Sequence, residues 1–544
     1  MAHKSLFKSA TLSKSANTFN EAGGRAYAFS PEHALAQYTA TGTMNHTFYA
    51  TALDQLQTVL ALSEKVSPLF LAKTAVFARE KGLMKDMPAL LTAILSRKDT
   101  RLFAQVFPRT IDNGKMLRNF VQIVRSGATG RKSLGTAPKR AARAWFDTRS
   151  PHAIFRQSLG NEPSMKDVIK LVRPSPKKAD GQTDAMRQAL YGYLIDKEHI
   201  AKDLPDIVQV FEGYKARAFG ADQGNGGGSL PDVPFEMLTA LPLTAVEWTE
   251  IAKRMSFTQL RMNLNTLLRH GVFTDTEMVE HVARQLRDPD LVRRSRTMPY
   301  QLMNAWKAQN ADMPKQIGLA LQAAMEIATE NVPTFEGRIY ICPDVSGSMH
   351  SSVTGYRKGA TSAVRCLDVA ALVSAALIRR NPTAEVIPFS DDVVPLPRAL
   401  NPLDSIATNA ELLASLPSGG TACSAPLRAL NQRGARGDLV IYVSDNMSWA
   451  DFAQSPSAGS WGVGAGARPT VMAEEWDLFA RKNTGAKLVL IDLQPYASTQ
   501  VQDRADVLNV GGFSDSVFDV VSLFAKGNLD AAHWVGAIEA VSLT

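Results

Sequence analysis

The spacing of apolar residues changes once along this chain, near Pro333, and that change constrains the fold more than any other feature. From about residue 31 to 330, apolar residues recur every three or four positions. Segments 49–63, 67–80, 87–95, 115–126, 185–195, 207–216, 245–255, 257–268, 275–286 and 315–329 predict amphipathic helices. Their connections are short and use Pro, Gly and Asn. Short amphipathic helices cannot each bury a face alone, so they must stack, as helical repeats do; a compact bundle is the other arrangement open to them. After Pro333, strand-like runs at 339–342, 384–389, 439–443, 488–491 and 507–510 alternate with helical runs at 362–380, 425–433, 472–482 and 514–526. That alternation predicts βαβ units and a largely parallel sheet. The expected organisation is a tail at 1–20, a helical module at 21–333, and an α/β domain at 334–544 that ends in a closing tail.

Charge divides along the same line. Residues 1–330 hold 44 Lys+Arg against 31 Asp+Glu, and the remainder holds 16 against 21, which together give the net +8. A basic half joined to an acidic half suggests that only the first meets a polyanion. No uninterrupted apolar run reaches about 18 residues, so no membrane span is expected. The amino terminus lacks the apolar core of a secretory signal and reads as a basic tail. Cys342, Cys366 and Cys423 are widely spaced and form no metal-type pair, which points to a reducing, cytoplasmic compartment. Residues 220–234 are Gly-rich but lack the Lys-Ser/Thr of a phosphate-cradling loop, so they read as a flexible loop. Residues 451–470 read as a small-residue loop between two βα units.

The run 339–342 ends in Asp344-Val345-Ser346-Gly347-Ser348. In an extended chain, residues two apart face the same way, so Asp344, Ser346 and Ser348 are expected to aim one carboxylate and two hydroxyls at one point. Oxygen donors at the carboxyl end of a strand suit a hard cation such as Mg²⁺. A helix N-cap is the other reading of Asp344-x-Ser346 taken alone. Two later pieces extend the pattern. Thr421 follows Gly419-Gly420 before a helix, and Asp445 ends the strand-like run 439–443. Hydrolase readings are weaker. Ser444-Asp445-Asn446 lacks a following Lys-Thr-Gly, and Ser346 and Ser348 lack a Gly-x-Ser-x-Gly context, with only His350 nearby. Asp-x-Ser-x-Ser, Gly-Gly-Thr and Ser-Asp, in this order on β/α units, resemble the von Willebrand factor A domain. The resemblance implies that Asp344, Ser346, Ser348, Thr421 and Asp445 form a metal-ion-dependent adhesion site. It also implies that one coordination position is left open for a partner's carboxylate.

Residues 101–175 concentrate 15 Lys+Arg against four acids. Lys115, Arg118 and Arg125 are spaced to share one helix face, as are Lys166, Lys170 and Arg173. Between them lie Arg125, Arg131, Lys132, Lys139 and Arg140 among glycines, a composition that suits phosphate neutralisation. A solvated helix face is the ordinary meaning of such a run, but acids to pair with are scarce here. Aromatic residues are thinly interleaved, which favours backbone or shape contacts over a stacking platform. Asn20-Glu21-Ala22-Gly23-Gly24, the stretch 112–140, residues 165–174 and Gln188-Ala189-Leu190-Tyr191-Gly192 together resemble the TROVE module of the Ro 60 kDa autoantigen family. That resemblance implies a ring of HEAT-like helical repeats that binds small non-coding Y-like RNA outside and misfolded or single-stranded RNA ends in its hole. It further implies a non-enzymatic scaffold, acting as a monomer, with an exoribonuclease tethered through RNA. The expected RNA contacts are Lys115, Arg118, Arg125, Arg131, Lys132, Lys139, Arg140, Arg156, Lys166, Lys170 and Arg173. Two departures stand out: Arg261 is shifted by one position relative to the family pattern, and Arg173 stands where family members often carry His. A metal-dependent adhesion or chaperone-like module with an incidentally basic helical arm is the competing reading.

Overall fold

Local capping explains where the helices begin. Ser67 accepts a hydrogen bond from Phe70 N ahead of Pro68–Glu80, Asp99 accepts from Arg101 N and Leu102 N ahead of Thr100–Thr110, and Asn113 accepts from Met116 N ahead of Gly114–Arg125. Side-chain oxygens at these positions satisfy amides that the helix itself leaves open. The computed structural model describes residues 12–42, 44–45, 47–177, 180–219, 230–330, 332–353, 364–453, 468–512, 515–527 and 533–543. Residues 1–11 of the expected tail, 220–229 of the Gly-rich stretch and 454–467 of the small-residue loop lie outside the described residues. The chain divides into two compact units. A helical unit comprises Ser67–Leu291, Gln309–Ala320 and Val541–Thr544; an α/β unit comprises Met1–Val66, Val292–Ala308 and Leu321–Ala540.

In the helical unit the expected segments appear with shifts of a few residues at most, for example Asp86–Lys98 for 87–95 and Asp206–Ala218 for 207–216. Thr100–Thr110, Thr136–Asp147 and Pro151–Arg156 are additional helices. Most of these helices pack on those one to three places along the chain. Pro68–Glu80, Asp86–Lys98 and Thr100–Thr110 are mutually in contact. Thr136–Asp147 rests on Thr100–Thr110, and Met165–Val172 rests on both Gly114–Arg125 and Thr136–Asp147. This neighbour-on-neighbour stacking is the arrangement of helical repeats. Phe103, Phe107 and Phe120 form its aromatic centre, with ring centroids 5.2 to 5.9 Å apart.

The α/β unit holds two sheets. Their strands are β1 (Thr18–Phe19), β2 (Arg25–Ala28), β3 (Ile339–Pro343), β4 (Glu385–Val386), β5 (Leu439–Ser444), β6 (Lys487–Asp492), β7 (Ser498–Thr499) and β8 (Val507–Gly511). The larger sheet runs β4-β3-β5-β6-β8 and is parallel throughout. β3, β5 and β8 are buried along their whole length, which is why they read as continuous apolar runs. β4 is shorter than the expected 384–389. Hydrogen bonds to β3 nevertheless continue past it, from Ile387 N to Ile341 O at 2.8 Å and from Phe389 N to Pro343 O at 3.1 Å, and Pro388 between them is tolerated because β4 is an edge strand. Cys366–Arg380 packs on β3 and β5 and is almost wholly buried. The smaller sheet joins the two ends of the unit: β1 pairs with β2, and β2 pairs with β7, both antiparallel. Tyr27 on β2 is 1% exposed and belongs to the same core as Trp476 and Phe479. Residues 12–66 therefore pack with the C-terminal half, whereas the period of the sequence groups 21–66 with the helices that follow. The architecture is a helical-repeat module plus a Rossmann-like α/β domain. All three cysteines are buried and free. Among the described residues, no helix is long and apolar enough to cross a membrane.

Candidate oxygen-ligand site and basic groove

The five expected ligands converge at the carboxyl ends of β3 and β5, the position at which open parallel sheets carry their sites. Asp344, Ser346, Ser348, Thr421 and Asp445 are all buried. The means of convergence differs from the expected alternation along a strand. β3 stops at Pro343, and Gly347–His350 is a single 3₁₀ turn. Ser346 N donates to Asp344 Oδ1 at 2.8 Å, Gly347 N donates to Gly419 O at 2.9 Å, and the hydroxyls of Ser346 and Ser348 lie 3.3 Å apart. Ser346 precedes the turn without a side-chain capping bond, so the N-cap reading does not account for its hydroxyl. Ser444 Oγ donates to Asp344 Oδ2 at 2.5 Å. The Thr421 segment is tied to the loop after β5, because Thr421 O accepts from Trp449 N and Ala450 N, each at 3.0 Å. His350 Nδ1 lies 3.0 Å from Arg365 Nη1, so its ring is engaged with a guanidinium.

Two buried carboxylates face each other here. Burial, and then the charge of Asp344, push the Asp445 carboxyl up to about 7, and burial also raises Asp344. Asp445 Oδ2 is buried with no hydrogen-bond partner. An orphaned carboxylate oxygen beside hydroxyls and a second carboxylate is a donor set for a hard cation. Among the described residues no cluster of three or more His, Cys, Asp or Glu side chains exists, so a softer transition-metal site of that kind is absent there.

Sequence reasoning missed the N-terminal contribution to this site. The Tyr49 phenol lies beside the Ser348 side chain, and burial together with the nearby Asp445 and Asp344 charges pushes it up to about 12. Asn20 Nδ2 donates to Ser448 O at 2.8 Å, in the loop that follows Asp445. A Cβ on Gly24 would lie 2.0 Å from that same Ser448 O. No local signal links positions 20–49 to a site about 300 to 400 residues away.

The basic candidates separate into groups. Arg125, Lys132, Lys139 and Arg140 line one groove of about 740 Å³ together with Arg143, and no carboxylate is among its described lining residues. Gly127, at φ +85°, folds the intervening loop back so that a Cβ there would lie 3.3 Å from Lys132 Cγ. Arg143 Nε donates to Val172 O at 2.8 Å, which anchors the groove to the end of Met165–Val172. Arg173, the left-handed residue that ends that helix, and Lys170 are exposed. Lys115 is exposed, but Arg118 is only 9% exposed. Its Nη1 donates to Gln157 O at 3.3 Å, and burial lowers its pKa. The expected shared face of Lys115, Arg118 and Arg125 is therefore split by a guanidinium turned into the protein. Arg131 Nη2 donates to Ser96 O at 3.4 Å. Arg156 pairs with Asp232 at 2.5 Å, and Lys166 pairs with Asp196.

A stacked helical module with a basic groove, on one chain with a parallel-sheet α/β domain that carries oxygen donors at its strand ends, defines a two-part protein. Comparison with known proteins narrows this. The family described as "TROVE domain" matches residues 236–331, and that described as "Ro60 vWA domain" matches residues 338–458, a span that contains all five candidate oxygen donors. The chain is therefore similar to Ro60 proteins. It is 27% identical over 542 residues to the RNA-binding protein RO60 of Deinococcus radiodurans, covering 94% of this chain and 95% of that one. It is 24% identical over 290 residues to the RNA-binding protein RO60 of Caenorhabditis elegans, covering 51% of this chain and 41% of that one. The crystal structure of the Deinococcus radiodurans RO (RSR) protein shares the fold, with a TM-score of 0.60 at 21% identity, covering 92% of this chain and 100% of that one. The basic stretch 101–175 lies outside the TROVE match, so the groove is argued from its own geometry.

Proposed function

We propose that the chain is a non-enzymatic RNA-binding scaffold that holds small non-coding, Y-like RNA on its basic groove. In this reading it also accepts single-stranded ends of misfolded RNA and acts in the quality control, maturation or decay of non-coding RNA. It works in the cytoplasm as a monomer, with an exoribonuclease brought in through the RNA. The observation that carries the reading is the groove of Arg125, Lys132, Lys139, Arg140 and Arg143, which concentrates cations with no carboxylate among its described lining residues. Phosphate contacts of this kind dominate nucleic-acid affinity. The similarity to the RNA-binding proteins of Deinococcus and Caenorhabditis supports the same class of ligand.

The test is the salt dependence of binding. The double substitution Lys139→Ala/Arg140→Ala is expected to weaken binding to unrelated RNAs alike and to lower the slope of log K against log salt by about 1 to 2. An unchanged slope removes both residues from the interface. Protein purified without nuclease treatment is expected to carry small RNA, visible in its absorbance ratio; clean protein favours the adhesion reading.

A divalent cation, Mg²⁺ by the chemistry of its donors, is proposed at Asp344, Ser346, Ser348, Thr421 and Asp445. The orphaned Asp445 Oδ2 supports it. Such an ion supplies the positive charge that two buried carboxylates otherwise lack. The residues themselves hold the loops after β3 and β5 together, through Ser444, Gly347 and Gly419.

A further inference from the structure

Beside the basic groove lies a second cavity, of about 560 Å³, between the Thr100–Thr110 and Thr136–Asp147 helices. Its volume falls among those of small-molecule sites, about 300–1,000 Å³. Phe103, Phe107 and Trp145 form its aromatic lining, and Ala104 and Ala141 leave its walls open by their small size. Trp145 is 3% exposed, and its indole Nε1 is buried with no acceptor. Arg149 is committed elsewhere: its guanidinium lies 3.9 Å from the Trp145 ring centroid and donates to Trp145 O and Asp112 O, each at 2.8 Å. Arg140 is exposed and lines both this cavity and the groove.

We propose that this cavity receives one unpaired nucleobase of an RNA whose backbone phosphate is held by Arg140 in the adjoining groove. A nucleobase has the required chemistry: a flat apolar body that suits a cavity walled by Phe103, Phe107 and Trp145. The charge of the groove selects the polyanion, and the shared Arg140 places its base at the cavity mouth. The inference rests on the RNA reading of the groove and deepens it. Thin aromatic interleaving along the sequence argued against stacking; the cavity draws its rings from two helices, so no single stretch shows it.

The test uses the full-length protein and two probes of equal charge: a ten-nucleotide oligo(A) and a ten-unit abasic ribose-phosphate oligomer. Oligo(A) is expected to bind more tightly by about fivefold to a hundredfold, the range that one stacked base contributes. Ala141→Phe fills the cavity and leaves every groove cation in place. It is expected to bring the two affinities within about twofold while the salt slope is kept, and Ala104→Leu, from the opposite wall, serves if Ala141→Phe does not fold. Equal binding of the two probes by the unsubstituted protein overturns the base pocket alone. So does a base preference that survives both substitutions. Loss of salt-dependent binding of both probes by the unsubstituted protein overturns the groove reading beneath it.

Discussion

Arginine is where residue type alone is least informative in this chain. Arg118 and Lys132 look alike in a charge count, yet one guanidinium is buried against Gln157 O and beneath Gly160, while the Lys132 ammonium stands in the open groove. They should therefore fail differently. Arg118→Met is expected to lower the melting temperature, because Gln157 O loses a charged donor at a cost of about 1–3 kcal/mol, and to leave the salt slope of RNA binding unchanged. Lys132→Met is expected to leave melting unchanged and to lower that slope by about 1. Thermal unfolding and a salt titration of both variants check the pair. The opposite pattern would return Arg118 to the interface.

At the scale of elements, the N-terminal hairpin is a working part of the α/β unit. Asn20-Glu21-Ala22-Gly23-Gly24, one of the stretches that resemble the TROVE module, closes as a turn in which Gly24 N donates to Asn20 Oδ1 at 2.7 Å and Asn20 Nδ2 holds Ser448 O. Gly24 is required by close approach, since its φ is not left-handed and a side chain would meet Ser448 O at 2.0 Å. Gly24→Ala is expected to destabilise the unit by about 1–3 kcal/mol, the usual cost of overpacking, and to displace the loop that carries Asp445. Gly23→Ala, where φ is +82° but no atom lies within 4 Å of the added carbon, isolates backbone strain from contact. A smaller loss in melting temperature for Gly23→Ala than for Gly24→Ala confirms the contact; equal losses refute it.

At the scale of the whole molecule, the groove and the oxygen-ligand site belong to different compact units. Their functions should separate accordingly. Added Mg²⁺ is expected to stabilise the unsubstituted protein, by about 2.7 kcal/mol at a hundred times the dissociation constant. Asp344→Ala is expected to abolish that gain and leave RNA affinity within about twofold. Calorimetry with and without Mg²⁺, followed by RNA titration of the same variant, measures both. A large loss of RNA affinity in a folded Asp344→Ala protein would show that the two sites are coupled.

The sequence by itself determined the change from helical to βαβ periodicity, the parallel strands β3, β5, β6 and β8, and the candidate oxygen donors that the fold brings together. These are legible because buried parallel strands read as continuous apolar runs and because Asp344, Ser346, Ser348 and Asp445 follow strand ends, where local spacing carries the signal. Only the tertiary structure decided the rest. It assigned residues 12–66 to the α/β unit, because strands two to four residues long leave no period to detect. It brought Tyr49 to Ser348. It sorted the basic residues into a groove lined by Arg125, Lys132, Lys139 and Arg140, a buried Arg118, and ion-paired Arg156 and Lys166. The physical reason is common to all three: burial and pairing depend on which distant segments meet, and a one-dimensional pattern does not encode those meetings.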